Sequence, residues 1–343
     1  AGGFGEGAGA GPASGSGAGT GAAGTGTGGG GASSPIQQIP EDVKILHRLV
    51  KKPGETAQEY THRLSMIGQA TELITDLLSR SRYNKFLVEA MQNIYPEAKQ
   101  IDFSTVTDIY IDYTASGIHK DCFELILKNE KGNMFTLSLA AAVKRAKNYK
   151  TGFEEGEEER QLQEKILGPK GIMPKLGVRF DYKENILSPA VPIQIEEFIY
   201  GETAGALHRK GALTDEMKYK IAVAWAESYK LAGNKGSGDF HLGNSIINKE
   251  GNAIIIDIGK VRQMDTTSFL EKLVFNFDAA AKNDNSFVFE AIRDVLGMDV
   301  LKKALRDINA GVANVYEAKY ARLADNLSAY IRKQASQEAV SSS

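Results

Sequence analysis

The most constraining stretch of this chain is a pair of short β-branched runs, Ser245 to Asn248 and Ala253 to Ile256, separated by Lys249-Glu250-Gly251-Asn252. Such runs around a glycine-containing turn read as a β-hairpin. A hairpin returns its second end to its first. Asn244, at the start of the first run, and Asp257, at the end of the second, therefore come side by side although thirteen positions separate them. An amide oxygen and a carboxylate at one point are hard donors, suited to a cation such as Mg²⁺. Immediately upstream, Gly238-Asp239-Phe240-His241-Leu242-Gly243 sets Asp239 on a loop beside the same point. There a carboxylate can accept or orient the proton of a hydroxyl and leave the cation to the other two residues.

The pattern Gly-Asp-x-His-x-x-Asn from Gly238 to Asn244, followed by Asp257-Ile258-Gly259, resembles the catalytic loop and metal loop of the protein-kinase-like superfamily. It is closest to the aminoglycoside and choline phosphotransferase branch. The resemblance implies an α+β, bilobal fold, with a small antiparallel β-sheet lobe, a mainly helical large lobe, and ATP with Mg²⁺ between them. It implies that Asp239 is the catalytic carboxylate, that Asn244 and Asp257 hold the metal, and that His241 braces the loop. Val143-Lys144, in Ala-Ala-Ala-Val-Lys, is similar to the Val-Ala-Val-Lys of kinases. Lys144 is then expected on the α- and β-phosphates, partnered by Glu159 or, second, Glu158 on the next helix. Pro192-Ile193-Gln194-Ile195, leading into Glu196-Glu197-Phe198-Ile199-Tyr200-Gly201, is similar to the hinge between kinase lobes. There the Glu197 carbonyl and the Ile199 N–H are expected to read the adenine edge.

Each assignment has a plainer alternative. Asp, Asn and Gly are ordinary turn residues, Lys144 is one of a local cluster with Arg145, Lys147 and Lys150, and acidic residues commonly open helices.

Two departures from the kinase pattern bear on nucleotide and acceptor. The only glycine between the first two predicted strands is Gly117, so the glycine-rich phosphate cover is missing; Thr114, Ser116 and the backbone around Gly117 are its expected substitutes. About eight residues separate Gly259 from the next helical pattern, and no Ala-Pro-Glu follows. So short a connection gives little platform for an extended peptide. The expected acceptor is a hydroxyl on a small molecule; the alternatives are a compact atypical protein kinase, with an exported effector as one form of it, or a nucleotide-binding pseudokinase acting as an interaction module. Met66-Ile67-Gly68-Gln69 resembles the Lys-x-Gly-Gln motif of ubiquinone-biosynthesis atypical kinases, with methionine in place of lysine.

Four segments organise the chain. Residues 1–34 hold 16 of the 36 glycines and one charge, Glu6, and read as a disordered Gly-rich tail. Residues 35–104 read as an N-terminal helical extension, helical from about Glu41 to Ala98; 105–199 form the small lobe and 200–343 the large lobe. Predicted strands are Asp108 to Tyr113, Phe123 to Leu127 and Phe135 to Leu139, with a turn at Asn129 to Asn133 and a helix from about Glu154 to Leu167. Thr214 caps a helix with Met217, Ile221, Trp225, Ser228 and Tyr229 on its apolar stripe, and helices are predicted at Ser268 to Phe277 and across Ser286 to Gln334. A net charge of −2 argues against nucleic acid as a partner. One cysteine, Cys122, suits a reducing, cytoplasmic compartment. No run approaches the roughly 18 apolar residues of a membrane span.

Overall fold

Val43 and Ile45 turn inward while Lys44 and Leu46 turn out, and this alternation makes Lys44–His47 a strand, β1, where the sequence suggests helix. Pro40 removes a backbone donor just before it, and so short a run takes its hydrogen bonds from a neighbouring strand instead. The structure, a computed structural model, describes residues 37–116, 120–141, 156–281, 284–311 and 317–341. The Gly-rich tail, Gly117, Lys144 and its basic neighbours lie outside those residues.

Helix α1 (Ala57–Ser79) starts from a capping box: the Glu59 amide donates to Thr56 Oγ1 at 3.1 Å and the Thr56 amide to Glu59 Oε2 at 2.7 Å. Helix α2 (Ser81–Ile94) follows. Strands β2 (Val106–Ser116), β3 (Asp121–Asn129) and β4 (Met134–Ala141) contain the three predicted strands and run longer than expected. Helix α3 (Glu157–Leu162) continues as a π-helical turn to Leu167, and β5 (Leu176–Tyr182) and β6 (Val191–Glu197) complete a six-stranded sheet in the order β1-β2-β3-β4-β6-β5. All its pairs are antiparallel except β1 with β2, which corrects the expectation of a purely antiparallel sheet. The parallel pair follows from connectivity, since α1 and α2 supply the crossover that parallel strands need.

One face of this sheet is apolar. Ile109, Ile111, Phe123, Leu125, Leu137, Leu139, Ile193 and Ile195 share a buried core with Met66, Ala70, Ile74 and Leu77 of α1 and with Leu87 and Met91 of α2. By strand alternation the opposite face carries Cys122, Glu124, Ser138, Ala140, Gln194 and Glu196. The polar face is the one turned away from α1 and α2, and Gln163 of the π-helical turn bonds to it.

The rest of the chain builds a second core. It contains β7 (Gly201–Thr203), α4 (Ala204–Arg209), α5 (Asp215–Leu231), β8 (Lys235–Ser237), β9 (Ser245–Asn248), β10 (Ala253–Ile255), β11 (Val261–Gln263), α6 (Thr266–Ala281), α7 (Ser286–Leu296), α8 (Met298–Asn309) and α9 (Glu317–Ser341). Thr214 caps α5 as expected, its hydroxyl accepting from the Met217 amide at 3.2 Å. Ile221, Trp225 and Tyr229 of α5 pack with Phe269, Leu273 and Phe277 of α6 and Val288 and Ile292 of α7. The fold is thus α+β, with two separate apolar cores. Among the described residues no helix is long and apolar enough to cross a membrane.

Candidate functional site

The β9–β10 hairpin pairs Ser245 with Ile255, Ile246 with Ile254 and Ile247 with Ala253. Its turn is held by the Asn252 amide donating to Asn248 Oδ1 at 2.8 Å. At the open end the Ile256 amide donates to the Asn244 carbonyl at 2.9 Å, so the residue before Asp257 is locked to Asn244. The Trp225 indole N–H donates to Ser245 Oγ at 2.9 Å and fixes this end against the buried face of α5. Trp225 is core, as its position on the helical stripe suggests.

A second ribbon brings in Asp239. Strands β8 and β11 pair Ser237 with Val261, and the Gly238 amide donates to the Lys260 carbonyl at 2.6 Å. The Asp239 amide donates to Ser237 Oγ at 3.0 Å, and Asn244 Nδ2 donates to the Asp239 carbonyl at 2.7 Å. Gly259 then lies directly against Asp239. A Cβ added at Gly259 would fall 2.4 Å from the Asp239 Cβ, and its φ of +55° is one that only glycine adopts freely. Its amide donates to Asp257 Oδ1 at 2.8 Å. Asp239, Asn244 and Asp257 are thereby gathered at one place by backbone bonds and by the Asn244 side-chain amide.

Exposure differs among the three. Asn244 is 8 % exposed and held by its amide nitrogen, which turns its Oδ1 away from the Asp239 carbonyl. The Asp239 and Asp257 side chains keep 62 % and 43 % of their accessible surface. His241 Nε2 stands 3.7 Å from Asp239 Oδ1, beside the carboxylate but beyond hydrogen-bonding distance.

The structure also brings a lysine that the sequence reading passes over. Lys120, directly before β3, places Nζ 3.9 Å from Asp257 Oδ2. Burial alone would lower its ammonium pKa, but Glu196 first, and then Asp257, outweigh that and hold it above the ordinary lysine value. Glu196 is itself buried, its Oε2 accepting from Gln163 Nε2 and Gln194 Nε2, both at 2.7 Å. The polar face of the six-stranded sheet is therefore turned toward Asp257.

The remaining expected residues are placed as follows. Glu159 Oε1 accepts from the Val261 amide at 2.8 Å, two residues past Gly259, and Glu158 pairs with Lys235. These two of the three glutamates of α3 thus hold the β8–β11 ribbon. Glu197 ends β6, its amide donating to the Lys175 carbonyl at 2.9 Å and its Oε2 accepting from the Lys175 amide at 3.1 Å. Ile199 is half-buried in the three-residue link between β6 and β7, which joins one core to the other. A repeating signal could have pointed to Glu196, because Gln194 and Glu196 stand on the polar face of a strand whose Ile193 and Ile195 face the core.

Among the described residues no group of three or more His, Cys, Asp and Glu side chains is arranged to hold a metal. Comparison with models of known protein families and with curated proteins finds no match for this chain.

Proposed function

We infer that this chain is a phosphotransferase of the protein-kinase-like superfamily, whose two cores are the two lobes of that fold and which uses ATP and Mg²⁺ to phosphorylate a hydroxyl. The observation that carries the reading is the pair of bonds from the Ile256 amide to the Asn244 carbonyl and from Asn244 Nδ2 to the Asp239 carbonyl. They set an amide oxygen, a metal-binding carboxylate and a separate, exposed carboxylate at one point, as phosphoryl transfer requires.

The donor set fits Mg²⁺. That ion is commonly held by only one or two protein oxygens, with water and substrate phosphates completing the octahedron. Asn244 and Asp257 are two such oxygens, and a larger ligand group is not needed. Bound there, the ion would neutralise charge on the phosphates. Asp239 has the exposure to meet an acceptor. As the acceptor oxygen attacks the γ-phosphorus and the bond to ADP breaks, the hydroxyl proton passes to Asp239. The Asn244–Asp239 bond keeps that base at a fixed spacing from the phosphates, and such positioning is most of what a kinase supplies.

Support for a small-molecule acceptor comes from the stretch after Gly259. Only residues 260–265 precede α6, and three of them, Val261–Gln263, are paired with β8. This leaves no long segment on which an extended peptide could lie. The test is release of ADP by the full chain with Mg²⁺, ATP and panels of hydroxyl-bearing small molecules and proteins. Asp257→Ala is expected to abolish Mg²⁺-dependent nucleotide binding. Unchanged binding and turnover in that variant would remove the reading, and a phosphorylated polypeptide as sole product would replace the acceptor.

A further inference from the structure

The six-stranded sheet brings a cationic side chain near Asp257 from a strand other than the one the sequence pattern suggests. Kinase-like chemistry calls for a lysine beside the triphosphate, acting as a point charge. The polar face of β4 carries Ser138 and Ala140, neither of them cationic, and Lys144 stands three positions beyond the end of that strand at Ala141. The adjacent strand is different. Lys120 directly precedes β3, and register places Cys122, Ala140 and Gln194 in one row across β3, β4 and β6, so that Lys120 extends this polar face. Its ammonium reaches to 3.9 Å from Asp257 Oδ2 while its side chain keeps 41 % of its surface.

That distance is too long for a hydrogen bond. Lys120 is therefore near the metal-binding carboxylate without being committed to it. A phosphate oxygen bridging the ion at Asp257 and the ammonium would satisfy both charges. Among the described residues the Glu196 carboxylate accepts only from two neutral amides, those of Gln163 and Gln194, and it stands on the same sheet face as Lys120.

We propose that Lys120, delivered by β3, is the residue that grips the α- and β-phosphates of the nucleotide, in place of Lys144, with Glu196 as its positioning residue. The proposal rests on the phosphotransferase reading above and deepens it. It also accounts for Glu159 and Glu158: in this arrangement neither is needed as the partner of the phosphate-binding lysine, and both are engaged with the β8–β11 ribbon, Glu158 through Lys235.

The experiment is nucleotide binding by the full chain in Mg²⁺, with ATP, ADP and adenosine as separate probes, for the parent, Lys120→Met, Lys120→Arg and Lys144→Met. Lys120→Met is expected to weaken ATP and ADP about tenfold or more, as for loss of a charged hydrogen bond, to leave adenosine unchanged, and to unfold at the same urea concentration as the parent. Lys120→Arg should recover part of the loss. Equal ATP affinity in Lys120→Met, an equal loss for adenosine, or a loss confined to Lys144→Met would each overturn the proposal. Failure of the phosphotransferase reading gives a different result: the parent itself binds no ATP, and Asp257→Ala changes nothing. Glu196→Gln should lower ATP affinity by less than Lys120→Met; an effect as large on adenosine as on ATP would remove Glu196 from the positioning role.

Discussion

Around Arg63, charged side chains are packed to mutual satisfaction, whereas around Asp239 they are left half open. The Arg63 side chain is 4 % exposed. It meets Glu55 at 2.7 Å and Asp112 at 3.5 Å, and donates to the carbonyls of Arg48 and Val50 at 2.8 and 3.0 Å. Lys52 closes the group at 2.7 Å from Asp112. Every strong donor there is used, and the result is to pin residues 48–55 and α1 to β2. At the candidate site Asp239, Asp257 and Lys120 keep 62 %, 43 % and 41 % of their side-chain surface, and His241–Asp239 and Lys120–Asp257 stand 3.7 and 3.9 Å apart. A saturated cluster fixes a conformation. An unsaturated one, held in place by backbone bonds, keeps its capacity for a ligand.

The sharpest separation of the two clusters is Asp239→Asn. Turnover should fall about a thousandfold, within the range for loss of a positioned base, while urea unfolding shifts by less than about 0.5 kcal/mol, as for an exposed substitution. A large loss of stability with retained turnover would reverse the comparison. Arg63→Met is the converse variant. It takes the guanidinium from Glu55 and from the Arg48 and Val50 carbonyls, while Lys52 still pairs Asp112, and should cost about 3 kcal/mol in urea unfolding, as when one partner of a buried ion pair is removed, with the KM for ATP unchanged.

Gly259→Ala probes the contact between the two loops. The added methyl would sit 2.4 Å from the Asp239 Cβ at a φ of +55°. Backbone strain of about 1 kcal/mol should appear in unfolding, together with a fall in kcat of about tenfold or more from displacing Asp239. The smallest effect is in pH. The Arg63 hydrogen bond, against the upward push of burial and helped by the Lys52 amide, holds the Glu55 carboxyl at about 2 rather than its ordinary 4.5. A depressed carboxyl pKa contributes stability that is complete above the unfolded value and is lost as pH falls through the folded one. The unfolding midpoint should therefore decline between pH 4.5 and about 2, and this slope should flatten in Arg63→Met.

The parts legible in sequence were those whose cause is local. The β9–β10 hairpin follows from two β-branched runs and a glycine turn, and α5 from a threonine cap and an apolar stripe. Strand β1 was hidden because four residues give too little period to oppose the helical pattern of α1 after it. Strands β7, β8 and β11 have three residues each and carry no period at all. At the site, the approach of Asp257 to Asn244 was readable because one hairpin sets it, whereas Asp239 is seated by the β8–β11 ribbon, whose short strands carry no period. Lys120 was not readable, since its nearness to Asp257 depends on which sheet face turns inward, a matter settled by the helices packed on the other side. The tasks of Glu158 and Glu159 were hidden for the same reason: their partners, Lys235 and Val261, are far along the chain.

The pairing of β11 with β8 immediately after Gly259 has a bearing on control. Many switches work by ordering a slack segment, and here the chain has none between the Asp257 loop and α6. On the phosphotransferase reading, an on–off signal has to arrive from the sheet above, by shifting how Lys120 hangs over Asp257, or by closing off the approach to Asp239.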